Sequence, residues 1–174
     1  MAQTHIYHGP YQSIPSTPSP GFLFLPDFLD IIDSFSGDAS RITKLLTSAA
    51  TFIFNGIPAA SAEAVTETLR SRSVKLREYR HDGDVAWDVV KLGGTRTLMY
   101  ESTCVVGFKG NEEGVECKVR EFGVVELVCE DGKWKAKDLR SFMDPSPTAP
   151  ERRGKKEYTV QTCRRIIDHN YMMG

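Results

Sequence analysis

Four segments with strand-like alternation follow one another between residues 85 and 143, and they constrain the fold of this 174-residue chain more than any other feature. The segments cover about 85–92, 95–109, 115–129 and 133–143, and they are separated by Gly93-Gly94, GNEEG and Asp131-Gly132. Short connections of this composition are typical of β-hairpins. The pattern predicts a four-stranded antiparallel meander.

Helices and one short strand are predicted before the meander. Apolar residues recur at helical spacing from Leu23 to Phe35, and a second, short helix is expected to end at Leu46. The run TFIFNG alternates like a strand, and a longer helix is expected from Ser61 to about Tyr79. The chain is therefore predicted to be an α+β protein whose helices pack on one face of the sheet.

One domain with two tails is the expected organisation. Residues 1–20 contain four prolines and no apolar period, so we expect a flexible arm there. The domain is placed at residues 21–147. A proline-rich, charged run begins at Asp144, and residues 148–174 are expected either to pack back on the domain or to remain a tail.

Composition argues against several classes of partner. The formal net charge is −1 and basic residues are scattered, so no nucleic acid is expected as a partner. The longest apolar run, about 22–28, is too short to span a bilayer, and no signal-peptide pattern precedes it, so we expect a cytoplasmic protein without a membrane partner. Free thiols are expected rather than disulfides or a metal site, because no CxxC spacing occurs among Cys104, Cys117, Cys129 and Cys163.

Two-residue turns would fix which side chains share a face of the sheet. The inner face then carries the candidate site: Tyr100, Glu121, Asp138 and Arg140 are assigned to catalysis, and Trp87, Leu98, Ser102, Val125 and Phe142 to substrate binding. The outer face carries Asp88 and an apolar patch of Phe122, Val124 and Leu139. Such a patch predicts a homodimer.

Charged groups on an apolar face are costly unless they are paired or used. Glu121, Asp138 and Arg140 are predicted to meet there, and Gly123 is expected to leave open space opposite Arg140. In a functional interpretation a carboxylate acts as acid or base, Arg140 stabilises an oxyanion and Tyr100 donates a hydrogen bond. In a structural interpretation the same groups form a buried, partly wetted ion pair.

His81 is a further candidate acid or base. It lies in REYRHDGDVAWDVV, which predicts the turn out of the long helix followed by the first strand. His81 is therefore expected near the rim of the site, where a loop can bring it to a substrate. Trp87 is expected to point towards the inner face and Asp88 to the outer face.

The order of elements and two stretches resemble the nuclear transport factor 2-like superfamily, and within it the SnoaL-like group. These stretches are LLTSAATFIFNGIPAASAEAVTETLRS and REFGVVELVCEDGKWKAKDLRSFMDPSP, and the end of the second is similar to fungal proteins of natural-product clusters. The resemblance implies a cone-shaped barrel, often a homodimer, with a small hydrophobic polycyclic substrate and no cofactor. The position of the catalytic aspartate of SnoaL-type cyclases falls near Val125, so acid–base chemistry is expected at Glu121 or Asp138 instead.

Two functions are compatible with these patterns. The first is a cofactor-independent isomerase, cyclase or dehydratase of secondary metabolism, acting by acid–base catalysis on a polycyclic intermediate. The alternative is a non-catalytic, dimeric ligand-binding or scaffold protein, because members of the resembled superfamily include both kinds and a fold does not decide a function.

Overall fold

The computed structural model describes residues 3–15, 18–34, 40–59, 61–109 and 116–144. Within these ranges a sheet of seven strands is combined with three α-helices and one 3-10 turn, Tyr11–Ser13. The helices are α1 (Pro20–Asp33), α2 (Ser40–Leu45) and α3 (Ala62–Lys75), and the strands are β1 (Thr4–His8), β2 (Leu46–Phe54), β3 (Ile57–Ala59), β4 (Leu76–Val90), β5 (Arg96–Phe108), β6 (Glu116–Glu130) and β7 (Lys133–Met143). None of the helices within these ranges is long and apolar enough to span a membrane.

The predicted meander is the central part of the sheet. The strand order is β1-β4-β5-β6-β7-β2-β3, so β4 to β7 are consecutive antiparallel neighbours, and β2 lies parallel to β7. Helix α1 buries Leu25, Phe28 and Leu29 against inner-face residues of the sheet such as Leu98 and Val125. The α+β class is confirmed, and the layers follow from a helix with one apolar stripe covering one side of a curved sheet.

The N-terminal residues form part of the sheet, so the prediction of a flexible arm over residues 1–20 is wrong for the part described. Strand β1 pairs antiparallel with β4 along its whole length, from Thr4 opposite Val89 to His8 opposite Val85. Tyr11 then packs into the hydrophobic core. The prolines do not exclude a strand here, because all of them follow β1 and none takes a position whose N–H pairs with β4. The predicted tail, 148–174, lies outside the described residues.

The first hairpin of the meander differs from the prediction in its connection and in its length. Helix α3 ends at Lys75, and β4 begins at Leu76, well before the predicted start at residue 85. The connection to β5 spans five residues, with Val90 opposite Arg96, instead of a two-residue Gly93-Gly94 turn. A register shift of one residue relative to β5 moves every side chain of this part of β4 to the other face of the sheet. Trp87 therefore pairs with Met99 on the outer face, and Asp88 is buried on the inner face, the reverse of the prediction.

A β-bulge reverses the prediction again at the end of the meander. The β6–β7 hairpin begins in the predicted register, with Leu127 opposite Ala136, but Glu126 then pairs with Asp138 because Lys137 is an extra residue in β7. Beyond this point the faces of β7 are exchanged. Corrections follow for four residues: Leu139 is buried in the core, whereas Asp138, Arg140 and Phe142 lie on the outer face.

Asp88 and Arg96 form a buried ion pair that joins α1 to the sheet. The Arg96 guanidinium donates to Asp88 from Nε at 2.8 Å and from Nη2 at 2.8 Å, and the Gly21 N–H donates to Asp88 Oδ2 at 2.9 Å. Burial alone disfavours the carboxylate, but the hydrogen bonds from Arg96 and Gly21 outweigh it and lower the pKa of Asp88. Asp88 thus accepts from a first-turn N–H of α1, which is otherwise an unsatisfied donor.

We expect Asp88→Asn to destabilise the fold strongly, because it leaves a buried guanidinium without its counter-charge. Breaking a buried pair in this way costs about 3–5 kcal/mol of unfolding free energy. Urea unfolding measures the loss, and Asp138→Asn, which removes the partner of the half-exposed Arg140, is the matched control with little expected change. Equal loss in the two variants would contradict a special role for the buried pair.

Candidate active site

His81 stands at the centre of a buried cluster of polar side chains. Its side chain is 1% exposed, and each ring nitrogen contacts one carboxylate: Nδ1 lies 2.5 Å from Asp33 Oδ1, and Nε2 lies 2.6 Å from Glu121 Oε2. The three residues come from the end of α1, from β4 and from β6. A histidine held on both sides by acids can store, deliver or accept a proton without changing its orientation.

Asp33 is the last residue of α1, where the negative end of the helix dipole disfavours a carboxylate. Donors on two other segments offset this cost. The backbone N–H of His81 donates to Asp33 Oδ2 at 2.9 Å, and the Tyr11 hydroxyl donates to the same oxygen at 3.1 Å. Asp33 is therefore fixed with its Oδ1 facing the His81 ring.

Glu121 receives donors on its two oxygens. Oε2 contacts His81, while Oε1 accepts from Ser141 Oγ at 2.6 Å and from the Tyr100 hydroxyl at 3.3 Å. Strand pairing brings these side chains together. Glu121 lies opposite Ser102 on β5, and Ser141 on β7 lies opposite Gly123, which is two residues from Glu121 on the same face. Burial, followed by the charge of Glu121, raises the pKa of Tyr100 well above its usual value, so this hydroxyl stays protonated and remains a donor.

The Tyr100 ring fills the space above Gly123. A Cβ atom at Gly123 would lie 2.1 Å from Tyr100 Cζ, far inside van der Waals contact, so the ring can occupy this position only over a glycine. The prediction that Gly123 faces Arg140 across an open space is therefore wrong. Gly123 instead permits the approach that brings the Tyr100 hydroxyl to Glu121.

The two acids make His81 a strong base. Burial of the ring opposes the charged imidazolium, but the charge of Glu121 and the hydrogen bonds to Asp33 and Glu121 outweigh it and raise the pKa of His81 to about 10. At neutral pH the ring is therefore an imidazolium. Because the cluster is screened little by water, these interactions are stronger than they would be at the surface.

Cys104 lies near His81 and Glu121, and these three residue types can bind a metal ion. Ligand atoms of His81, Cys104 and Glu121 are all within 4.8 Å of one another. A tetrahedral zinc ion with bonds of about 2.0–2.1 Å would hold a nitrogen and an oxygen ligand about 3.3 Å apart. Since His81 Nε2 and Glu121 Oε2 are 2.6 Å apart, their present spacing fits a shared proton, and a metal would require the two atoms to separate.

The predicted site residues divide into two groups. Glu121, Tyr100, Ser102, Leu98 and Val125 lie on the inner face, where the sequence placed them. The remaining predictions are corrected. His81 is fully buried at the centre and not at the rim, while Asp138, Arg140, Trp87 and Phe142 lie on the outer face, away from Glu121.

Three residues of the cluster were missed from sequence. Asp33 lies in a segment predicted only as a helix, Ser141 lies in the part of β7 whose faces the bulge exchanges, and Tyr11 lies in the segment predicted as a flexible arm. A carboxylate at the C-terminal end of a helix is electrostatically unfavourable, and that was the available signal for Asp33. Ser141 and Tyr11 depend on a bulge and on strand β1, for which the sequence gives no local signal.

Comparison with known proteins gives structural matches only. No family model matches the chain, and no curated protein matches its sequence. Among solved structures, hexachlorocyclohexane dehydrochlorinase LinA-type3 from Novosphingobium barchaimii superposes with a TM-score of 0.59 at 15% identity, covering 76% of this chain and 90% of that one. Aln2 from a Streptomyces species gives 0.58 at 18% identity, covering 73% and 94%.

A provisionally assigned scytalone dehydratase from Novosphingobium aromaticivorans gives a TM-score of 0.60 at 12% identity, covering 70% of this chain and 80% of that one. The chain has the nuclear transport factor 2-like fold. At these identities the likeness shows the fold alone, and the chemistry must be argued from the side chains of this chain.

We expect His81 to stay protonated well above the pH at which an unfolded histidine loses its proton. Its pKa is about 10 in the folded protein against 6.5 for the free side chain, so its contribution to stability is fully present below about pH 6.5 and is lost as pH rises towards 10. Ring nitrogen chemical shifts measure the protonation directly, and urea unfolding between these pH values measures the stability. Loss of the His81 proton near pH 6.5 would contradict the assignment.

Proposed function

We propose that the chain is a cofactor-independent lyase or isomerase that moves a proton by means of Glu121 and His81. Glu121 accepts a proton from a carbon next to a substrate carbonyl. The His81 imidazolium, held by Asp33, then protonates the departing hydroxyl in a dehydration or the new carbon position in an isomerisation. Tyr100 polarises the carbonyl and stabilises the enolate formed between the two steps.

The observation that carries the proposal is the double contact of His81 with Asp33 and Glu121. Asp33 alone would only orient the His81 ring through Nδ1. Glu121, which contacts Nε2, adds a group with which the ring can exchange a proton. The pKa of about 10 keeps His81 as a proton donor at neutral pH, which leaves Glu121 as the acceptor. The two groups thus have opposite roles set by their surroundings.

Two hydroxyls support a substrate oxygen in this site. The hydrogen bond from Tyr100 to Glu121 is 3.3 Å long, whereas the contacts from His81 and Ser141 are 2.6 Å. Tyr100 therefore makes the weakest of the three hydrogen bonds and loses the least binding energy when its hydroxyl turns to a substrate carbonyl. Ser102 Oγ, on the same face opposite Glu121, is buried and has no hydrogen-bond partner among the described residues. A substrate oxygen would satisfy it, and this supports the proposal that Ser102 binds the substrate.

A compact hydrophobic substrate fits the surroundings of this cluster best. Leu98 and Val125 lie opposite each other on the inner face, next to the pair of Tyr100 and Gly123, and pack in the same apolar core as Tyr100. The structural neighbours include a dehydrochlorinase, which supports elimination chemistry in this fold. We therefore infer a polycyclic hydroxy-ketone, such as an intermediate of secondary metabolism, as the substrate class.

We expect Glu121→Gln and His81→Gln each to lower turnover by about 10²–10⁴-fold, the usual contribution of a general acid or base. The assay incubates the protein in D₂O with a panel of bicyclic and tricyclic β-hydroxy ketones and follows loss of water and deuterium incorporation by mass spectrometry. The matched control is Asp138→Asn, an acid of the outer face bound to Arg140. Ligand binding is measured in parallel to separate lost catalysis from lost affinity.

Undiminished turnover in both variants would remove the assignment of the acid–base pair. An equal loss in Asp138→Asn would show that the effect is not specific to the cluster. Binding of the panel without turnover by the wild-type protein would favour the second candidate function.

The second candidate is a non-catalytic, dimeric binding or scaffold protein. It is favoured by an apolar patch on the outer face, where Phe122 lies opposite Phe142 in the neighbouring strand and Val124 is two residues further along. Phe142 is 45% exposed. Leu139, which was predicted in the patch, lies in the core instead.

We expect Phe122→Asp to weaken a homodimer through this patch, because it places a charge among apolar contacts. Light scattering after size-exclusion chromatography gives the oligomeric state, and Lys137→Asp, an exposed change on β7, is the control. A dimer of unchanged stability in Phe122→Asp would rule out this surface as the interface.

A further inference from the structure

Tyr11 connects the N-terminal segment to the acid side of the cluster. Its hydroxyl donates to Asp33 Oδ2 at 3.1 Å, and its ring is buried in the same core as α1. The His81 N–H donates to that same oxygen at 2.9 Å. Two donors that converge on Oδ2 fix the rotation of the carboxylate, so that its other oxygen faces the His81 ring.

The path of the chain before Tyr11 depends on a glycine close to His81. After β1 the Gly9 N–H donates to the Asp84 carbonyl at 3.0 Å, and the chain then crosses over β4 at Gly83. A Cβ atom at Gly83 would lie 3.2 Å from the Tyr11 nitrogen and 3.4 Å from the Gly9 carbonyl oxygen. The β4–β5 register also shifts next to this position, between Gly83 and Val85, so the chain crosses β4 beside a bulge.

We propose that Tyr11 is a positioning residue of the acid–base site and that it acts by holding the Asp33 carboxylate in the orientation that aligns His81. Its importance for turnover rests on the proposed function, whereas its effect on His81 does not. The N-terminal segment is then part of the working site and not only an edge of the sheet.

Electrostatics supports this assignment. Asp33 stands at the unfavourable end of the α1 dipole, and the Tyr11 hydroxyl is a neutral donor that offsets this without adding a counter-charge. Burial and the charge of Asp33 raise the pKa of Tyr11, so the hydroxyl keeps its proton and remains a donor wherever the protein is folded at ordinary pH. A lysine or arginine here would instead neutralise Asp33 and weaken its hold on the imidazolium.

The test compares Tyr11→Phe with Tyr7→Phe in protein labelled with ¹⁵N-histidine. Both changes remove one hydroxyl and keep the ring, but the Tyr7 hydroxyl donates to the Pro10 carbonyl at the surface. His81→Gln identifies the His81 ring signals. We expect Tyr11→Phe to shift the His81 ring ¹⁵N resonances and the Nδ1 proton, and Tyr7→Phe to leave them in place.

Unchanged His81 signals in folded Tyr11→Phe would overturn the proposal. Equal shifts in the two variants would overturn it as well, because they would show that packing of the N-terminal segment, and not the Tyr11 hydroxyl, affects His81.

If Tyr11→Phe does not fold, Gly83→Ala is the second variant, because a Cβ atom there presses on the Tyr11 backbone and is expected to shift the same signals. Unchanged signals in Gly83→Ala would also overturn the proposal. With an active substrate, a tenfold to hundredfold fall in kcat at unchanged KM is expected, on the order of one charge-assisted hydrogen bond. Shifted signals without any turnover would leave the positioning role intact and reject the proposed function.

Discussion

The short contacts of His81 with two carboxylates are the constraint on which the arrangement of the inner face depends. They join the end of α1, the middle of β4 and the middle of β6, which lie far apart in sequence. A fully buried histidine between Asp33 and Glu121 is stable only if each remaining oxygen of the acids finds a donor. Tyr11, Tyr100, Ser141 and the His81 N–H supply those donors. Six segments therefore meet at one point: the 3-10 turn, α1, β4, β5, β6 and β7.

Glycine and bulges make this meeting possible. Gly123 admits the Tyr100 ring over β6, and Gly83 admits the crossing of the N-terminal chain over β4. The extra residue at Lys137 turns Ser141 inward and Arg140 outward. The glycines allow these close approaches, whereas the extra residue in β7 exchanges which of its side chains face the core, because the period of a strand is two.

The same rule explains how much could be predicted from sequence. The α+β class and the meander follow from alternation and turn composition, and both are confirmed. Glu121, Tyr100 and Ser102 were placed on the correct face because the β5–β6 pairing differs from the predicted register by two residues, which preserves the face. Trp87 and Arg140 were misplaced because a loop and a bulge of odd length shift the register by one, and neither has a distinctive local sequence.

The inner face holds two buried ionic groups, the Asp88–Arg96 pair and the His81 cluster, and they differ in how completely their polar atoms are satisfied. Asp88 and Arg96 are one acid and one base, and a first-turn N–H of α1 completes the pair, so it needs nothing more. In the cluster, by contrast, two carboxyl groups contact one histidine, His81, and the buried Ser102 hydroxyl on the strand facing Glu121 has no hydrogen-bond partner among the described residues. A hydroxyl without a hydrogen-bond partner is costly in a core. A bound molecule with an oxygen acceptor would satisfy this hydroxyl, which is the physical reason to regard this cluster, and not the Asp88 pair, as the working site.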